Sequence, residues 1–340
     1  MRGERKSPTM ADVAREAGVS SMTVSRAYRP GSPINAETRE AIIAAAERLG
    51  YVFDSTAAGL SSRRTGFVAV TIPSINNANF ADTVRGLTDG LGDSRLQVLL
   101  GYTNYDLEQE ERLVRQLLTR RPEAIVLTGG RHTDACRRLL VHAGIPVLET
   151  WDAPADPVGS VAGFSNAEAG AMLVRHLVET GRRRIGFLGG DATRDTRGLD
   201  RRRGYLAAMA AQGLGAHRLV EAGPPPVSMR EGAEAMAALV RRWPDTDAVI
   251  CVSDLAAFGA VTECQRLGIA VPEQIAICGF GAYELAEVSI PAITTVDPHC
   301  YDLGRIAASH ILGLLSDPSA APSITTLQPT LMIRASTSVA

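Results

Sequence analysis

No apolar run in this 340-residue chain approaches the roughly 18–20 residues needed to cross a bilayer. The first ten residues are charged and polar, with no apolar stretch behind them, so no signal peptide is expected. Cysteine is sparse. Cys136, Cys251, Cys264, Cys278 and Cys300 are odd in number and widely spaced, and they suit neither a disulfide framework nor a metal-ligand spacing. Aromatic residues are few, at 5%, and no low-complexity tract or short repeat occurs. Catalytic signatures are also lacking. There is no G-x-x-x-x-G-K-[ST] phosphate loop, no G-x-G-x-x-G after a strand and no G-x-S-x-G elbow. The six histidines are scattered, so neither a metal nor a cofactor is expected. A soluble, cytoplasmic chain with no membrane association and no enzymatic role is the expectation.

What is present is a packed-protein composition, 45% hydrophobic, with an uneven charge distribution. The net charge is −2. Residues 1–64 hold ten Arg/Lys against seven Asp/Glu, a net +3 that leaves −5 for the remainder. A basic head on an acidic body hints at a nucleic-acid module joined to something else.

The first fifty residues read as short helices with tight turns. Thr9 and Asp12 form a capping-box pattern that opens a helix through Ala17. Gly18-Val19-Ser20 makes a turn, and Ser20 caps a second helix from Ser21 to Tyr28. Asn35 caps a third, Ala36–Leu49, closed by Gly50. Val13, Ala14, Ala17, Val19, Val24, Ile42, Ile43, Ala46 and Leu49 supply one small core. Two helices on a Gly-containing turn with a third packed across them is a helix-turn-helix arrangement.

From Thr65 onward, apolar strands alternate with amphipathic helices. The strands expected are 66–72, 97–101, 124–128, 146–149, 160–164, 184–189, 248–252 and 276–280. Helices are expected over 108–120, 168–180, 201–212 and 229–242. Continuous apolar strands separated by helices form parallel sheets covered on both faces. Some 270 residues of this alternation exceed one open sheet, so two doubly wound lobes are expected.

The run Met10-Ala-Asp-Val-Ala-Arg-Glu-Ala-Gly-Val-Ser-Ser-Met-Thr-Val-Ser-Arg26 closely resembles the N-terminal signature of the LacI/GalR family of bacterial transcription regulators. Glu37-Thr38-Arg39, Leu49-Gly50-Tyr51, Gly268-Ile-Ala-Val-Pro272, Gly279-Phe280 and Ile293-Thr-Thr-Val296 extend the likeness over nearly the whole chain. Phe80-Ala-Asp-Thr-Val-Arg-Gly86, His132-Thr133, Glu149, Gly163-Phe-Ser-Asn166 and Glu263-Cys-Gln-Arg-Leu-Gly268 look most like the repressors of gluconate-type sugar-acid operons.

The resemblance implies an all-α helix-turn-helix head (1–52), a hinge (53–64) and a two-lobed α/β body like the periplasmic binding proteins (65–340). Its chain would cross between lobes near Phe164, near Pro291–Thr295 and near Thr326–Pro329. The partners implied are double-stranded operator DNA, a small sugar or sugar-acid effector and a second copy, as a homodimer or a tetramer. On the recognition helix, Ser21, Met22 and Arg26 face base edges, with Arg26 suited to a guanine, while Thr23 and Ser25 suit phosphates. Leu60 matches the hinge leucine that wedges into the minor groove. Phe53, Asp54 and Ala58 depart from the family pattern beside it.

For the effector the same resemblance points to Ser74, Asn79, Phe80, Arg131, Glu149, Trp151, Phe164, Asn166, Arg201, Ser253, Asp254 and Gly281. Arg201 matches an arginine that clamps hydroxyls or carboxylates. Gly281 stands where many sugar-sensing relatives carry Asp, and the missing acid suits an anionic ligand. Within the family a neutral sugar or nucleobase effector, or a corepressor, stays open, and two rivals outside it remain at this point, a sugar kinase of two lobes and a transport receptor. Neither accounts for the helix-turn-helix head.

Overall fold

The computed structural model describes residues 7–28, 32–53, 65–191, 193–215 and 218–338. The chain divides into two compact units, Met1–Thr65 and Gly66–Ala340.

The first unit holds α1 (Met10–Glu16), α2 (Ser21–Ala27) and α3 (Ala36–Leu49). Each starts where a short polar side chain meets an orphan backbone N–H. Thr9 and Asp12 form the reciprocal capping box, Ser20 accepts from Thr23 N, and Asn35 accepts from Glu37 N. Gly50 ends α3 in the left-handed conformation, φ 64°. Val13, Ala14, Val24, Ala27, Ile42, Ala45 and Ala46 are buried together. Ile43 and Leu49, expected in this core, stay 40% and 37% exposed. For Ile43 the reason is helical phase, since Ile42, Ala45 and Ala46 occupy the inner stripe and Ile43 falls one position off it, whereas Leu49 is on that stripe but is the last residue of the helix. Arg39 ties α3 to the end of α2 by donating to the carbonyl of Ala27.

In the second unit, β1 (Phe67–Ile72), β2 (Gln97–Tyr102), β3 (Ala124–Thr128), β4 (Val147–Thr150), β5 (Ser160–Gly163) and β11 (Ile324–Thr326) form one parallel sheet in the order β11-β5-β4-β3-β1-β2. Packed with it are α4 (Ala78–Leu91), α5 (Leu107–Thr119), α6 (Asp134–Val141) and α12 (Cys300–Ser316). A second parallel sheet, ordered β7-β6-β8-β9, comprises β6 (Ile185–Gly189), β7 (Leu219–Glu221), β8 (Ala248–Cys251) and β9 (Ala276–Cys278). Around it lie α7 (Asn166–Glu179), α8 (Thr196–Ala211), α9 (Met229–Arg242), α10 (Asp254–Leu267) and α11 (Glu284–Val288). The strands β1, β3, β4, β5, β6, β8 and β9 are buried and mostly apolar, as strands covered on two faces require, while the edge strands β2 and β11 stay largely exposed.

Three crossings join the lobes. The first runs from β5 to α7, beside Phe164, and the third from β11 to β12 (Thr330–Met332). The second falls later than Pro291–Thr295. Residues 293–297 still belong to the C-terminal lobe, because Gly279 N and Gly281 N donate to Thr294 O and Val296 O. There β10 (Thr295–Asp297) pairs antiparallel with β12, and the chain crosses only at 298–299. The strands β7, β10 and β11 are three residues each, too short to show a period in the sequence.

Candidate DNA-reading face and effector cleft

On α2, burial of Val24 and Ala27 turns the opposite face to solvent. Ser21, Met22 and Arg26 are exposed there, Met22 by 65%. Met22 and Arg26 are four apart and so share a face. Thr23 and Ser25 are half-buried, and the Thr23 hydroxyl lies 2.9 Å from Ser20 Oγ at the helix start. The surface thus offers one long cation, one apolar side chain and small hydroxyls. Tyr28 stacks on Phe53 at 4.4 Å between ring centroids, which seats the end of α2 against the chain after α3. Leu60, Asp54 and Ala58 lie outside the described residues.

The second site is a cleft between the two lobes of the body, at the C-terminal ends of the parallel strands, where open α/β sheets bind ligands. Asn79, Phe80, Trp151, Arg201 and Ser253 of the expected residues line it. They are joined by Tyr105, Asp195, Arg197, Phe280 and Tyr283. Arg197 and Arg201 are one turn apart on α8, both under 10% exposed. Arg197 donates to Thr128 O of the opposite lobe at 3.2 Å and sits 5.7 Å from the Phe80 and Tyr105 ring centroids. Arg201 lies 4.2 Å over the Phe280 ring, and its Nη1 donates to Asn166 Oδ1 at 2.6 Å. Its Nε is buried without a partner among the described residues. Burial pulls the Arg201 pKa below its ordinary value.

Asp195 is the one acid among the described lining residues, and its carboxylate caps α8 by accepting from Gly198 N at 2.9 Å. Tyr105 is buried in the cleft, and that burial raises its hydroxyl to about 12, so it is a neutral donor at pH 7. Phe80, Trp151, Phe164 and Phe280 make successive ring contacts along one wall. Trp151 adopts φ 68°, held by its indole N–H on Thr83 Oγ1 and by Asn166 Nδ2 on its carbonyl.

Seven expected residues stand elsewhere. Ser74 accepts from Asn76 N in the loop before α4. Arg131 spans the lobes at the rim, 2.7 Å from Asp200. Phe164 and Asn166 stand behind the lining and orient Trp151 and Arg201. Glu149 is fully buried and turned away from the cleft, accepting from Val158 N at 2.8 Å and lying 3.3 Å from His132 Nε2. Asp254 accepts from Thr295 Oγ1 at 2.6 Å and from Tyr283 N at 2.8 Å, and burial raises its pKa to about 6.

Gly281 has φ 124°, and a Cβ there would lie 2.5 Å from Asn79 Nδ2 and 2.6 Å from Tyr283 Cε2. Backbone and packing therefore account for the glycine without any appeal to ligand charge. Asp195 and Arg197 went unnoticed in the sequence, although Arg197 and Arg201 share the i, i+4 spacing that would have found them.

The two units match two separate descriptions. Residues 9–54 match the model of bacterial regulatory proteins of the lacI family, and residues 174–337 match the periplasmic binding protein-like domain. The HTH-type transcriptional regulator GntR of Pseudomonas aeruginosa is 34% identical, covering 97% of this chain and 96% of that one. This chain belongs to the lacI family of bacterial transcription regulators. The regulator IdnR of Escherichia coli is 33% identical over 93% of this chain and 94% of its own. A LacI-family regulator from Silicibacter pomeroyi superposes with TM-score 0.91 at 33% identity, covering 97% of this chain and 99% of that one. The family's members are regulators rather than enzymes, and no helix among the described residues is long and apolar enough to cross a membrane.

Proposed function

We propose that this chain is a repressor of a sugar-acid utilisation operon, released from a palindromic operator by a six-carbon sugar acid such as gluconate. The observation that carries the effector class is the arginine pair on α8: among the described residues, two buried guanidiniums face a single lining carboxylate, and Arg201 Nε has no partner. A carboxylate meets that imbalance with charge-assisted hydrogen bonds, each about twice as strong as a neutral one. Asp195, Asn79 and the Tyr105 hydroxyl suit the ligand's own hydroxyls. The relatives named GntR and IdnR agree with this class.

In this reading residues 1–52 form the DNA head, 53–64 the hinge and 65–340 the effector body, working in the cytoplasm at the nucleoid. Arg26, Met22 and Ser21 read bases, Thr23 and Ser25 hold phosphates, and Leu60 enters the minor groove. One recognition helix spans few base pairs, so two copies act on a palindrome. The edge strand β2 exposes Leu99, Leu100 and Tyr102, an apolar surface suited to that pairing. Sugar acid entering between the arginines competes with the contacts Arg131–Asp200 and Arg197–Thr128 that join the lobes. Calorimetry with gluconate and glucose on the native protein and on Arg201→Gln tests the reading. The expected result is preference for the acid, lost in the variant. Equal affinity for both ligands in the native protein would overturn it.

A further inference from the structure

Away from the cleft, the N-terminal lobe buries a cluster of unlike side chains. His132, in the turn between β3 and α6, lies with Nδ1 2.6 Å from Glu110 Oε1 on α5. Cys136, in the first turn of α6, places Sγ 3.9 Å from the same oxygen. Donor atoms of Glu110, His132 and Cys136 all fall within 4.8 Å of one another, and the three side chains are almost wholly buried. On the far side of the ring, Glu149 Oε1 lies 3.3 Å from Nε2, and its other oxygen is fixed by Val158 N. None of the four lines the effector cleft.

We propose that Glu110, His132 and Cys136 bind one Zn²⁺, with Glu149 orienting the imidazole from behind. The donor set is carboxylate oxygen, imidazole nitrogen and thiolate sulfur, a combination that favours a borderline-soft ion over Mg²⁺ or Ca²⁺. Zinc bonds of about 2.0–2.3 Å separate tetrahedral ligands by roughly 3.3–3.8 Å, so Glu110 Oε1, 2.6 Å from His132 Nδ1, moves outward while the three donors, all within 4.8 Å of one another, close on the ion. A carboxylate on the remaining N–H of a ligating histidine is the arrangement that fixes tautomer and ring orientation in zinc sites.

Zinc takes cysteine as thiolate and histidine as neutral imidazole, so binding displaces the protons those two groups carry. A water completes the tetrahedron. The site is adjacent in sequence to Arg131, which bridges the lobes through Asp200, so the ion would stiffen the turn that holds the rim contact.

The test uses the full-length protein, stripped with chelator and reloaded with Zn²⁺ or Co²⁺ alone. One zinc per chain is expected, and the Co²⁺ form should show a thiolate-to-cobalt charge-transfer band. Cys136→Ser should abolish that band and weaken Zn²⁺ at least tenfold. Glu149→Gln should weaken it tenfold to a hundredfold while keeping the band. Failure to retain metal, or a Co²⁺ spectrum of the native protein without the thiolate band, would overturn the site. Equal Zn²⁺ affinity in Cys136→Ser and native protein would do the same by placing the ion elsewhere.

Discussion

The Asn166 side chain joins Arg201 to Trp151: its oxygen accepts from the guanidinium at 2.6 Å and its amide nitrogen donates to the Trp151 carbonyl at 2.9 Å. One uncharged residue thereby holds a buried cation without neutralising it, leaving its charge for a ligand. Asn166→Asp should keep the guanidinium in place and cancel that charge, at the cost of the donor to the Trp151 carbonyl. The expected outcome is at least a tenfold loss of affinity for gluconate, about 1.4 kcal/mol, with a smaller change for glucose. Asn166→Leu instead strands Arg201 Nη1 and the Trp151 carbonyl. It should destabilise the body by about 3 kcal/mol, seen as a lowered unfolding temperature.

Gly281 gives a different forecast from the one its sequence position suggests. Any side chain there meets Asn79 and Tyr283 and forces a φ of 124° on an L-residue. Gly281→Ala should therefore weaken gluconate and glucose together, and Gly281→Asp should do little more. The backbone strain is on the order of 1–3 kcal/mol. Calorimetry showing a selective loss of the acid in Gly281→Asp alone would restore the charge interpretation.

Asp254 should make stability pH-dependent. Its folded pKa, about 6, lies above the ordinary 3.8 because burial disfavours the carboxylate. A group raised in this way contributes fully below about pH 3.8, and the contribution is lost as pH rises through 6. The difference is about 3 kcal/mol for two units. Asp254→Asn keeps a carbonyl for Tyr283 N and an amide that can donate to Thr295 Oγ1. Relative to native protein, the variant should gain in unfolding temperature between pH 4 and pH 7. A constant difference across that range would remove Asp254 as the cause.

Arg26 is exposed on α2 beside Met22, four residues away. Arg26→Ala should cost about 1–3 kcal/mol of discrimination for operator over random duplex, while the weak salt-sensitive affinity for any duplex persists. Competition binding at two salt concentrations measures both terms. An unchanged ratio would remove Arg26 from base readout.

How much of this was legible in the sequence follows from how local each signal is. Helix starts at Thr9, Ser20 and Asn35 depend on residues two or three positions away, so the head was readable almost residue by residue. Long apolar strands were readable for the same reason, whereas β7, β10 and β11 are defined by partners far along the chain. Site residues divided along the same line. Asn79, Phe80 and Ser253 sit at helix starts and reach the cleft, as does Arg201 from the second turn of α8. Glu149 also sits at a strand end, yet it turns inward because His132 and Val158 N, from two other segments, offer it partners. His132 and Cys136 are four apart, but Glu110 is 22 residues before His132 and joins them only through the packing of α5 against the β3–α6 turn.

The most direct test of the account is operator release. Fluorescence anisotropy of a duplex carrying the palindrome from the protein's own upstream region, titrated with gluconate and with glucose, reads head and body together. The account predicts nanomolar binding of the duplex and release by gluconate at concentrations at least tenfold below any effect of glucose. Release by glucose at equal or lower concentration, or tighter operator binding with gluconate, would contradict it.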